Sequence, residues 1–163
     1  MAPAAEPKRQ TGTVDPVRVW FRFIRLHRRV SSAIAAELKA LGLSIPQFDV
    51  LSTLTEREGL TQQELAERLY VTKGNVSGLV DRLVDARLVE RRASPGDRRS
   101  HALYLTRQGR ELAARGIAAQ EAYVVRTLGR LSRADLAELE RLVLAWRDEA
   151  RADAAREAPE PAA

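Results

Sequence analysis

Residues 88–106 read LVERRASPGDRRSHALYLT. Pro95-Gly96-Asp97 is a turn signal that splits this stretch into two short strands. On the returning strand Leu103 and Leu105 fall at alternate positions, as they do when one face is buried, with His101 set aside. Arg91 and Arg92 lie on the first arm, and Arg98 and Arg99 at or beside the tip. Directly before the hairpin comes a short helix of small polar residues, Thr72 to Ala86. A helix followed by a basic hairpin sets a rod suited to the major groove of DNA beside a finger suited to the minor groove. The competing reading is an exposed hairpin kept in solution by charge. Four arginines against one acid near the tip speak against it.

The placement of charge carries more information than its sum. Between Arg91 and Arg110 stand six arginines and one aspartate, a local +5 that equals the formal net charge of the whole 163-residue chain. The remainder is close to neutral, so the basic character is a patch that points to a polyanionic partner. There is no cysteine, which excludes disulfides, thiolate metal sites and thiol switches. His27 and His101 lie far apart without neighbouring ligand residues, so no metal and no cofactor is expected. No apolar run approaches the roughly 18 residues of a membrane span, and MAPAAEPKRQ lacks a signal-peptide core, so a cytoplasmic protein is expected.

The length suits about one domain. Residues 1–13 are expected to form a disordered arm, 14–151 the folded domain, and 152–163 a disordered tail. Asp15-Pro16 opens a first helix that runs to about Ala40 and stops at Gly42. Its apolar residues cover more than one row: Val17, Phe21 and Ile24 on one, Trp20, Phe23 and Val30 on another. Such a helix is gripped from two sides. Ser44 and Gln47 make a capping box for a helix from Ile45 to about Arg57. Thr61 and Glu64 make another for Gln62 to Leu69, with Leu60 and Leu65 as its hydrophobic staple. Thr72 caps the fourth helix, with Val71 and Val76 as the staple pair. A fifth helix spans Arg107 to about Leu128, and Ser132 with Asp135 opens a sixth to about Arg151. The expected fold is mainly α: six helices with a small β-hairpin wing after the fourth. Helices 15–41 and 107–151 then flank a central lobe, 44–106.

Within that lobe the third and fourth helices are separated only near Tyr70 and Val71, a helix-turn-helix spacing. Leu65, Leu69, Val76, Leu79, Val80 and Leu83 can pack the pair together. The other face of the fourth helix carries Thr72, Lys73, Gly74, Asn75, Ser77 and Asp81-Arg82. Small residues allow close approach to base edges, the free amides favour a phosphate, Asn suits adenine and Lys suits guanine. An ordinary solvated helix start favours the same residue types, so this helix alone leaves both readings open. The hairpin decides between them. Arginine on a narrow loop suits the negative potential of the minor groove, and Asp97 is placed to hold Arg99 by a charged hydrogen bond.

Asp97-Arg98-Arg99-Ser100-His101-Ala102-Leu103-Tyr104-Leu105-Thr106 resembles the D-x-R-x-x-x-hydrophobic-x-L-T wing signature of the MarR (multiple-antibiotic-resistance regulator) family. LTQQELAERLYVTKGNVSGLVDRLVDARLVERR before it and a helix carrying Gly109 after it are similar to the family's pattern too. The likeness runs from about Val17 to Trp146. It implies a winged helix-turn-helix dimer on pseudo-palindromic double-stranded DNA, with the helix from Thr72 reading the major groove. It makes Arg99 the minor-groove arginine and brings Thr61, Gln62 and Gln63 near backbone phosphates. The full set of DNA-facing candidates is Thr61, Gln62, Gln63, Thr72, Lys73, Asn75, Ser77, Arg82, Arg91, Arg92, Asp97, Arg98 and Arg99.

The first and last helices have no evident task inside a small winged core. Val17, Trp20, Phe21 and Ile24 early, and Leu136, Leu139, Leu142, Val143 and Trp146 late, suggest a helical interface shared by two copies; the resemblance implies the same. Half-sites would then lie about 10 base pairs apart, centre to centre. The resemblance further implies an effector, a small aromatic or anionic compound, bound where the dimer helices meet the winged lobe. Trp20, Phe23, His27, Phe48 and Asp49 are the candidate walls, though packing explains each of them singly. Asp49 and Arg91 match two members of a urate-responsive pattern, but Leu79 stands where that pattern has arginine, and Trp20 lies in the first main helix. The expected function is a ligand-released repressor, with a non-specific architectural DNA-binding protein as the alternative. No catalytic constellation or phosphate loop is present, so no enzyme is expected.

Overall fold

The computed structural model describes residues 14–157 apart from 95–96, with side chains over the same span apart from 94–100 and 157. The elements follow in the order α1 (Pro16–Lys39), α2 (Ile45–Glu56), β1 (Leu60–Thr61), α3 (Gln62–Arg68), α4 (Lys73–Asp85), β2 (Val89–Ser94), β3 (Asp97–Leu105), α5 (Arg107–Thr127) and α6 (Arg133–Glu157), with a 3-10 turn at Leu128–Arg130 before the last. Mainly helical with a small antiparallel sheet, this is a winged helix-turn-helix architecture.

Each helix begins on a side-chain cap. Asp15 accepts from the Val17 amide at 3.0 Å. At α2 the Ser44 amide donates to Gln47 at 2.9 Å and the Gln47 amide returns to Ser44 Oγ. At α3 the Thr61 amide donates to Glu64 at 2.7 Å and the Glu64 amide to Thr61 Oγ1 at 3.2 Å. These bonds satisfy amides that have no partner inside the helix. Thr72, Thr106 and Ser132 cap α4, α5 and α6 in the same way. The staple at α3 is buried at both ends, whereas at α4 only Val76 is buried and Val71 stays 44% exposed.

The sheet order is β1-β3-β2. Leu60 pairs with Leu103 and Thr61 with Ala102 on one side; Val89 pairs with Leu105 and Arg91 with Leu103 on the other. The β1 strand is an addition to the expected hairpin. Two residues are too few to show an alternating pattern. Leu38, Leu43, Phe48, Leu51, Leu54, Leu60, Leu65, Val80, Leu83, Val89, Leu103 and Leu105 form one core beneath the sheet and the three short helices.

Helix α5 docks on this lobe through small residues. A Cβ at Gly109 would stand 1.9 Å from the Leu88 carbonyl oxygen, and one at Gly116 would stand 2.7 Å from the Phe48 ring. Ala113 between them is fully buried. Helix α6 behaves differently, because none of its described residues is buried. It also outruns its expected end: residues 152–157 continue the helix instead of belonging to a disordered tail. Ala, Arg and Glu there are strong helix formers, and Pro159 is the first residue that opposes continuation. The other arm, residues 1–13, lies outside the described residues.

Candidate nucleic-acid interface

Helix α4 turns its apolar residues inward and most of its candidate reading residues outward. Val76, Leu79, Val80 and Leu83 are buried, while Thr72, Lys73, Asn75 and Arg82 are exposed and Ser77 is half-buried. Thr72 Oγ1 accepts from the Asn75 amide over a long 3.4 Å, so the hydroxyl is committed to the cap. Gly74 has open space where a side chain would be, with no atom within 4 Å.

The wing is braced against this helix. Val89 and Arg91 share the inward face of β2, opposite Leu105 and Leu103. Val89 fills the core, and Arg91, beyond its edge, reaches Asp81 of α4 with Nη2 to Oδ1 at 2.5 Å. On the outward face Arg92 lies 4.3 Å over the Tyr104 ring and donates through Nε to Glu90 at 3.0 Å. Both arginines of the first arm are therefore paired with acids, and of the two it is the Arg91–Asp81 pair that ties the wing to α4. The expected bond between Asp97 and Arg99, and the side chains of Arg98 and Arg99, lie outside the described residues.

The three candidates at the start of α3 divide. Thr61 is spent on its capping box, which holds the Glu64 carboxyl below its usual range through hydrogen bonds from the Thr61 amide and hydroxyl. Gln63 donates its amide to Glu67 at 2.9 Å, and Gln62 is half-buried.

The candidate ligand-wall residues lie in three settings among the described residues. Trp20, Phe23 and His27 follow one another along α1, with Phe23 stacked on His27 at 6.2 Å. Trp146 of α6 meets Trp20 edge-on at 5.9 Å and Phe23 at 5.0 Å. Beside them runs an apolar concavity of about 450 Å³ walled also by Leu139, Leu142 and Val143. Phe48, only 2% exposed, belongs to the core, since Gly116 leaves room for its ring against α5. Asp49 lines a separate concavity of about 390 Å³ between α2 and α4, with Pro46, Leu69, Val71, Asn75, Val76, Leu79 and Arg82. Burial there raises its carboxyl above the ordinary value.

Sequence reasoning missed Glu58. Its carboxylate accepts from the Leu105 amide at 3.1 Å and from the Arg110 guanidinium, tying the start of β1 to the end of β3 and to α5. Forty-seven residues separate Glu58 from Leu105, and no local signal spans that distance. Among the described residues no three potential metal ligands gather, and no helix is long and apolar enough to cross a membrane.

A three-helix lobe with a braced hairpin and a capped, small-residue helix beside it defines a winged helix-turn-helix protein. The MarR family model matches residues 41–100. The HTH-type transcriptional repressor Rv2887 of Mycobacterium tuberculosis is 33% identical over 132 residues, which cover 81% of this chain and 95% of that protein. This chain belongs to the MarR family of transcriptional regulators, and so is not an enzyme. A solved structure described as the transcriptional repressor CouR bound to a 23-mer DNA duplex is 29% identical, with a TM-score of 0.70 over 80% of this chain and 92% of that one. AbsC of Streptomyces coelicolor shares the fold at 24% identity, with a TM-score of 0.75 over 87% of this chain and 99% of that one.

Proposed function

We propose that two copies of this chain, joined along α1 and α6, bind a pseudo-palindromic DNA duplex and repress transcription until a small aromatic or anionic compound releases them. The DNA reading rests on one observation above others: Arg91 of the basic hairpin is paired with Asp81 of α4, which orients the wing against that helix. A helix and a finger held in one posture can enter neighbouring grooves together, which a freely hinged basic loop cannot. The likeness to a repressor described as bound to DNA supports the same reading.

The pairing of copies is supported by the ends of the chain. Val17, Phe21, Leu142 and Val143 are exposed, and Trp20 and Trp146 remain 47% and 44% exposed although they touch each other. Apolar area of this kind needs a cover. For the effector, the concavity between α2 and α4 offers a guanidinium from Arg82 beside Leu69, Val71 and Leu79. Asn75 lines it too, so a compound seated there would compete with base reading.

The test begins with selection of a duplex from a randomised library by the unmodified protein. Binding to it, read by fluorescence anisotropy, is expected to exceed binding to a scrambled duplex by about a thousandfold or more and to fall steeply with salt. Asn75→Ala should alter base preference, and Arg99→Ala should weaken binding by roughly ten- to a hundredfold. Equal affinity for scrambled DNA at every salt concentration would establish the architectural alternative instead.

A further inference from the structure

Tyr70 is the oddest residue of the lobe. It occupies the corner between α3 and α4 with φ at +54°, in the left-handed region that bulky side chains avoid. The reason for that backbone is local. The Tyr70 amide donates to the Glu67 carbonyl at 3.2 Å and the Val71 amide to the Ala66 carbonyl at 3.0 Å, a Schellman closure of α3. Its left-handed position is the natural place of glycine, and the turn gains nothing from an aromatic ring. The ring is not used for packing either: Tyr70 is 89% exposed, more than any other large hydrophobic of the described chain. Arg87 closes α4 with the same left-handed backbone, so what sets Tyr70 apart is an aromatic ring left almost wholly in solvent.

The position of that ring indicates its use. Tyr70 stands two residues before Thr72, the cap of the reading helix, so it shares the end of α4 that carries Lys73, Gly74 and Asn75. Arg68 of the last turn of α3 and Lys73 of the first turn of α4 flank it with positive charge. A phenol there can donate to an anionic oxygen without adding a charge of its own. We infer that Tyr70 is a DNA-positioning residue, its hydroxyl donating to a backbone phosphate at the edge of the groove that α4 enters. The inference rests on the DNA-binding reading above, and it adds a contact that the helix and the wing do not supply. Phosphate contacts of this kind fix register without reading sequence.

Two variants test it on the duplex selected by the unmodified protein, with anisotropy titrations at several salt concentrations and thermal melts. Tyr70→Phe keeps the ring and the backbone and removes only the hydroxyl. Tyr70→Gly removes the side chain and relieves the left-handed strain. Both are expected to bind about tenfold more weakly, with base preference unchanged and the salt slope unaltered because no cation is lost. Tyr70→Gly is expected to melt no lower than the unmodified chain, so weaker binding by it cannot be put down to misfolding. Retention of full affinity by Tyr70→Phe overturns the inference and leaves Tyr70 as a strained helix cap. Failure of the unmodified protein to select any duplex overturns the DNA-binding reading itself.

Discussion

Gly74 and Asp49 show how single residues divide their loyalties between fold and function. A Cβ at Gly74 meets no atom of the chain within 4 Å, so the fold has no need of glycine there. Glycine inside a helix is less favourable than alanine by roughly 0.5–1 kcal/mol. Gly74 stands in the first turn of α4, so Gly74→Ala is expected to raise stability by no more than about 0.5 kcal/mol in urea titration. It should weaken binding to the selected duplex by about tenfold, or ~1.4 kcal/mol, if close approach to DNA is what the glycine serves. Asp49 shows the opposite balance, because burial lifts its carboxyl above the ordinary value. A raised folded-state value means that the protonated form is favoured by folding. The associated stability is present below the usual carboxylate range and is lost as pH rises through the raised value. Asp49→Asn should therefore melt higher than the unmodified chain at neutral pH, and the advantage should shrink as the solution is acidified toward pH 4. A constant difference across that range would mean that ionisation of Asp49 is not the cause.

At the scale of elements, the wing is defined by what it leans on. Asp81 of α4 holds Arg91, and Glu90 and Tyr104 hold Arg92. Pairs this exposed stabilise a fold by no more than about 1 kcal/mol, so their value lies in orientation. Removing an acid from a DNA-facing surface should tighten binding if charge alone mattered. Asp81→Ala is expected to weaken it several-fold instead, with little change in melting temperature, because the wing loses its brace. Tighter binding by Asp81→Ala in the anisotropy titration would refute the bracing role. Five of the six helices were legible by the side chain that caps each: Asp15, Ser44, Thr61, Thr72 and Ser132; the Thr106 cap of α5 came to light only in the structure. Capping is local chemistry, complete within three residues. β1 was not legible, since its two residues form a strand only by pairing with Leu103 and Ala102. Arg91 was legible as charge but not as held charge, because its partner Asp81 lies on another helix, and the ring under Arg92 belongs to the facing strand. Phe48 and Asp49 are neighbours in sequence that a helix turns in different directions, one into the core beside Gly116 and one into the concavity near Arg82. Neighbours in the chain therefore serve different surroundings, and nothing in the sequence around them marks which is which.

At the scale of the whole molecule, one half is self-sufficient and the other is not. The lobe closes around a continuous core, and Glu58, Gly109 and Gly116 fasten α5 to it. Helix α6 has no fully buried residue among those described, and α1 only Leu38, although Trp20, Phe23 and Trp146 half-cover one another. The melting temperature is expected to rise with protein concentration, as it does for any fold completed by a second copy, and light scattering should give twice the mass of the chain. A concentration-independent melt of a monomer would refute the pairing along these helices. If the last 25-residue helix finds its cover only on a twin, then the cell's stock of this protein is itself a control. At low copy number the pool consists of single chains that present one half-site reader each. Occupancy of a two-part operator then climbs with the square of abundance, so a modest change in synthesis or degradation becomes a sharp change in promoter state with no compound bound at all.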